Sequence, residues 1–98
     1  MRPLLQADLE SAVAVVLGQP MPLRRWAADQ LLAQADIADR YRKRFGRAHP
    51  DFGSGSLMAA AGHWPALPQR PMCDAAYCAG MVIVLAAVQA WRHRLDPF

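Results

Sequence analysis

Cysteine is scarce in this sequence: Cys73 and Cys78 are the only two. One pair makes no disulfide framework, and a five-residue step is neither C-x-x-C nor a zinc-knuckle spacing. The expectation is two reduced thiols, not bonded to each other, in a cytoplasmic protein. Charge is sparse too, at 19% of residues, and 11 Lys and Arg against 8 Asp and Glu leave a formal +3. That excess is too small to require an anionic partner. Alternating β patterns, hairpin dipeptides and internal repeats are missing, which argues against a sheet or a solenoid. The opening "MRPLLQADLESAV" meets Asp8 and Glu10 before any apolar run of useful length, so no signal peptide is expected.

Apolar residues are plentiful, at 54% of the chain. Such a composition excludes disorder, and 98 residues suit one helical domain over 1–98. A chain of this size is marginal enough that oligomerisation would add stability.

Helical punctuation runs throughout. Asp8 predicts the cap of a short helix over 9–17, closed by Gly18 with Pro20 beyond. Pro22 suits the first turn of a long helix over 22–45 that stops at Gly46. That helix carries two apolar stripes: Ala27, Leu31, Ala35, Ala38 and Phe45 on one face, and Trp26, Ala33, Ile37 and Tyr41 on the next. A helix apolar over that much of its girth is either central or an oligomer contact. A second short helix over 55–63 follows, capped by Ser54 or Ser56. "WPALPQRP" then holds three prolines, which break any helical ladder. Asp74 caps the last long helix, 75–94. The fold class is therefore all-α, a compact bundle of about four helices with its core on the two long ones. Leu31, Ala35, Val84, Leu85 and Val88 are the expected centre.

The last helix contains 17 uncharged residues in "AAYCAGMVIVLAAVQAW", the lower edge of membrane-spanning length. Its period places Tyr77, Met81, Val84, Leu85 and Val88 on one side. Ala75, Ala79, Gly80, Ala86, Ala87 and Ala90 cover most of the other. Small residues bring helix backbones close, so this reads as a core helix and not a membrane span.

Two features invite a functional reading. "DRYRKRFGR" concentrates Arg40, Arg42, Lys43, Arg44 and Arg47 at a helix C-terminus, where basic residues complement the dipole. Opposite charges at i,i+4 (Arg25–Asp29, Asp36–Arg40, Asp39–Lys43) answer part of that charge locally. A loop of about nine residues is also too long for a helix–turn–helix, so nucleic-acid binding is not favoured. The loop itself, "GRAHPDFGSGS" over 46–56, is the second feature. Gly53, Ser54, Gly55 and Ser56 lie where a helix begins, and Arg44, Arg47 and His49 could add charge to an anion site there. The simpler reading is a corner: Gly46 ends one helix, a serine caps the next, and Phe52 pins the loop.

No phosphate-loop or dinucleotide fingerprint is present. His49, His63, His93 and the cysteines show no zinc spacing, and Ser54, Ser56, His49, His63 and Asp51 supply triad residue types without a nucleophile elbow. No catalytic residue, metal or cofactor is expected. Met58, Met72 and Met81 are expected to fill core gaps. Trp26, Trp64 and Trp91 are many indoles for so small a bundle, and any left partly exposed would mark an interface.

The run "ADIADRYRKRFGRAHPDFGSGSLMAAA" resembles a family of short, uncharacterised alphaproteobacterial proteins. The resemblance spans about residues 33–61, with weaker echoes in the opening "MRP" and near Asp74 and Tyr77. It implies a bacterial cytoplasmic setting and no activity. The resulting expectation is a non-enzymatic interaction module that binds protein, itself or another. The alternative is anion, nucleotide or nucleic-acid binding at the basic helix end and loop 46–56.

Overall fold

A computed structural model describes residues 2–68 and 70–95. Among them are four α-helices and no strand, so the fold is all-α. The elements are α1 (Gln6–Leu17), a 3₁₀ turn (Met21–Leu23), α2 (Arg24–Phe45), α3 (Leu57–Ala61) and α4 (Ala75–Leu95).

The helix ends differ from expectation for local reasons. α1 begins before Asp8, which sits in its first turn and accepts the Leu5 backbone N–H on Oδ2 at 2.9 Å. Leu5 has no side-chain acceptor, so the carboxylate reaches back in the manner of a capping box. α2 starts two residues later than expected. Around Pro22 the chain makes a tighter turn instead, closed by Leu23 N–H to the Pro20 carbonyl at 2.9 Å. Gly46 ends α2 in the left-handed conformation, as anticipated. α3 covers five residues, fewer than the 55–63 predicted. Gly55 has φ +109 and lies outside the helical region, while Ser56 is extended and caps through Oγ to the Ala59 N–H at 3.0 Å. Asp74 caps α4 as expected, accepting the Tyr77 N–H at 2.9 Å.

The core takes in α1 beside α2 and α4, and α1 is its most fully enclosed helix. Six consecutive residues, Ala12 to Leu17, are buried, because α2, α3 and α4 all pack on this helix. The extended chain beyond α3 closes another side: Leu67 N–H donates to the Ala14 carbonyl at 3.0 Å. An apolar helix short enough to be surrounded becomes the centre. The longer α2 contributes Ala27, Ala28, Leu31, Leu32, Ala35 and Ala38 from one face.

α4 meets the core along Tyr77, Gly80, Val84 and Ala87. A Cβ on Gly80 would stand 3.0 Å from Val13 Cγ1 and 3.1 Å from Leu17 Cδ2, so α4 is pressed closely onto α1 there. The docked face blends the two sides: Tyr77 and Val84 come from the expected large side, and Gly80 and Ala87 from the small one. Leu31, Ala35 and Val84 are buried as anticipated, but Leu85 is exposed and Val88 only half-buried. Gly80 permits the close approach that this face makes to α1. Phe45, Met58 and Met72 are likewise exposed, contrary to expectation, whereas Met81 packs against the core.

Candidate functional site

The corner between α2 and α3 is tied by buried carboxylates. All three expected i,i+4 pairs form: Arg25–Asp29 at 3.2 Å, Arg40–Asp36 at 3.0 Å and Lys43–Asp39 at 3.0 Å. Asp36 and Asp39 are buried, so these are not pairs on a fully solvated face. Asp39 is also met by Arg2, whose Nε lies 3.3 Å from its Oδ1. The same guanidinium donates to the Ser54 carbonyl at 2.6 Å. Arg2 thus joins Asp39 of α2, 37 residues away, to Ser54 of the Gly/Ser loop, 52 residues away. Sequence reading missed it, since nothing local marks an arginine near the chain start for so distant a partner.

Burial opposes ionisation of Asp39, but hydrogen bonds and positive charge from Lys43 and Arg2 outweigh it and hold its pKa below the ordinary 3.8. Between the lowered native value and 3.8 the unfolded chain binds more protons, so stability rises with pH there. The Asp39 contribution is therefore complete above about pH 4 and is lost as acid protonates the native carboxylate. Urea midpoints measured from pH 7 downward should fall below about pH 4, and Asp39→Asn should flatten that part of the profile. An identical profile in the variant would refute the assignment.

The loop's backbone groups have internal partners. His49 and Gly53 exchange N–H to carbonyl bonds at 2.8 and 3.1 Å. His49 Nδ1 accepts the amides of Asp51 at 3.0 Å and Phe52 at 3.2 Å, which puts the proton of the neutral ring on Nε2. Its ring stacks on Phe52 at 4.8 Å and meets the edge of Tyr41 at 4.9 Å. At the start of α3 the Ala59 amide goes to Ser56. The Met58 amide goes to Asp8 Oδ1 at 2.9 Å. Asp8 is buried and receives amides from the first turns of two helices, one on each oxygen. A carboxylate of the chain therefore stands where a bound anion would meet the α3 amides.

The structure brings His49, Gly53, Ser54, Gly55 and Ser56 together in this corner, with Gly55 buried against α2. Arg44 and Arg47 stay exposed at its rim, and the Arg44 guanidinium lies 5.4 Å from the Phe45 ring centroid. Among the described residues no group of three His, Cys, Asp or Glu could hold a metal ion. A shallow groove of about 390 Å³ runs between α1, α3 and the extended segment, lined by Ser11, Ala14, Met58, Ala61, Ala66 and Leu67 among others. It offers no convergent polar groups for chemistry.

The larger anomaly lies on the outside of α4. Ala75–His93 is long and apolar enough to cross a membrane by length and composition, yet only 22% of this stretch is buried. Val82 is 65% exposed and Leu85 45%. Ala75, Ala76, Cys78, Ala79, Gln89 and Ala90 are exposed beside them. Both cysteines are free and exposed, and Cys78 Sγ donates to the Met72 carbonyl at 2.8 Å. The second stripe of α2 is also open: Trp26 is 49% exposed and Ile37 48%. Trp26 meets Trp64 edge-on at 5.9 Å, and Trp64 Nε1 donates to Gln34 at 2.9 Å.

No curated protein and no solved structure matches this chain. Residues 2–88 match the family described as a domain of unknown function, DUF7742, a span that takes in every core residue above. The chain belongs to that family, whose description assigns no activity.

Proposed function

We propose that this protein is a non-enzymatic helical interaction module that docks through the outward face of α4, in the cytoplasm of a bacterium. The observation that carries the reading is the exposure of Val82 and Leu85 on a helix without a charged residue from Ala75 to Trp91. Contiguous exposed apolar surface of this kind marks sites of association. Lipid is a poorer occupant than protein. One side of α4 is already packed on α1 and α2, so the helix does not offer lipid an apolar surface all round. The exposed thiols suit a reducing compartment, and the resemblance over residues 33–61 supports the bacterial setting.

The test is affinity purification from the native cell of the wild-type chain beside a Val82→Glu/Leu85→Glu variant. The expected result is a stoichiometric protein partner, itself included, that the variant loses. Retention of every partner by the variant would end the assignment to α4.

Anion or nucleic-acid binding through Arg44, Arg47, His49 and residues 53–56 is the competing reading. What favours docking over it is that the Gly53, Met58 and Ala59 amides already have partners within the chain. Phosphate or nucleotide titration followed by amide NMR is expected to give no saturable shifts. Submillimolar, saturable shifts confined to residues 47–57 would reverse the choice.

A further inference from the structure

The occupant of the α4 face follows from its register. Ala75, Cys78, Val82, Leu85, Gln89 and Arg92 are spaced 3, 4, 3, 4 and 3 residues apart, and all six are exposed. That is the spacing of a coiled-coil seam, with alternate positions equivalent to a and d, apolar from Ala75 to Leu85 and polar at Gln89 and Arg92. The seam is also symmetric about the midpoint between Val82 and Leu85. Reversed on itself, it sets Val82 against Leu85, Cys78 against Gln89 and Ala75 against Arg92, matching a to d in every layer. We propose that α4 pairs antiparallel with α4 of a second copy of this chain, about a two-fold axis between Val82 and Leu85.

Charge selects this occupant. The helix is preceded by Asp74 and carries Arg92 and His93 near its other end, with nothing charged between Asp74 and Arg92. An antiparallel copy lays Arg92 of each chain beside Asp74 of the other, at both ends of the seam. A parallel copy would instead oppose Arg92 to Arg92 and align two helix dipoles unfavourably. Asp74 is partly exposed, and its present ion pair to Arg70 is long, at 3.4 Å. Elsewhere a chain of net charge +3 tends to repel its copy, whereas this face has no charge at its centre. Ala79 and Ala86, beside the seam, leave room for the approach of a second helix.

This inference rests on the reading of α4 as a docking face, and the test separates the two. Light scattering on the purified chain should give a mass about twice 10.8 kDa, reduced to that of one chain by Val82→Glu. Val82 is exposed, so circular dichroism of the variant should show unchanged helix content. Register is read by oxidation of a Cys73→Ser/Gln89→Cys chain, in which Cys78 should bond across the dimer to the new cysteine. Cys73→Ser alone should not cross-link, because the two copies of Cys78 would lie about 16 Å apart along the axis. A dimer that cross-links through Cys78 to Cys78 would overturn the antiparallel register and leave α4 as the docking face. A dimer unaffected by Val82→Glu would remove α4 from both readings. A monomer at millimolar concentration, or partition into phosphatidylglycerol vesicles in place of dimerisation, would overturn self-pairing.

Discussion

Replacing Gly55 with alanine is expected to cost about 2–6 kcal/mol of stability. Gly55 has φ +109, a conformation that L side chains rarely adopt, so backbone strain alone contributes about 1–3 kcal/mol. A Cβ there would also stand 2.9 Å from the Asp39 Cα and 3.2 Å from its N. Those are backbone atoms in the middle of α2 and cannot turn aside as a side-chain tip can. Separating them would pull the loop from α2 and lengthen the Arg2 bonds to Asp39 and Ser54. Overpacking of this kind adds about 1–3 kcal/mol. For a domain of this length the melting temperature should fall by more than about 10 °C. Gly46→Ala is the control: it shares a positive φ but its Cβ meets nothing within 4 Å. If both variants lose the same stability, strain accounts for the effect and the contact with α2 does not.

Leu31→Ala is expected to destabilise by about 2–5 kcal/mol, through lost apolar burial and the cavity left behind. Leu31 is fully buried, in one core cluster with Val13, Val16, Leu57 and Val84 from three other helices. Since α1 is enclosed on several sides, the surrounding helices have little freedom to close on a void. The measurement is urea unfolding, with a lower midpoint and an unchanged slope. Leu85→Ala supplies the contrast. In the isolated chain its cost should stay within about 0.5 kcal/mol, because Leu85 faces outward from the bundle. If α4 pairs with a second copy as proposed, the same change should weaken that association instead.

The chemistry of the helix ends was legible from sequence. Asp74 caps α4, Gly46 ends α2, and one of two candidate serines caps α3, because each depends only on residues within a turn of it. The three i,i+4 ion pairs were legible for the same reason, since helical geometry alone brings such residues together. Asp8 was recognised as a cap but not in its full role. Its second oxygen serves Met58, fifty residues away, and no local pattern announces that. Arg2 is the same case, placed only when α2 and the loop come together.

The sequence by itself determined an all-helical chain and the faces each helix could bury. A 3.6-residue period and the positions of Gly, Pro and capping residues are properties of short stretches. Only the tertiary structure decided which available face is covered. α2 and α4 each present more apolar girth than one bundle of this length can enclose, so some of it had to remain outside. Gly80 settled the matter for α4: lacking a side chain, it allows the closest approach to Val13 and Leu17 on α1 and draws that side inward. Val82 and Leu85 are turned outward as a result, although they are no less hydrophobic than the residues inside. Close packing, not hydrophobicity alone, decided which side is covered, and Val82 and Leu85 are left exposed on the other.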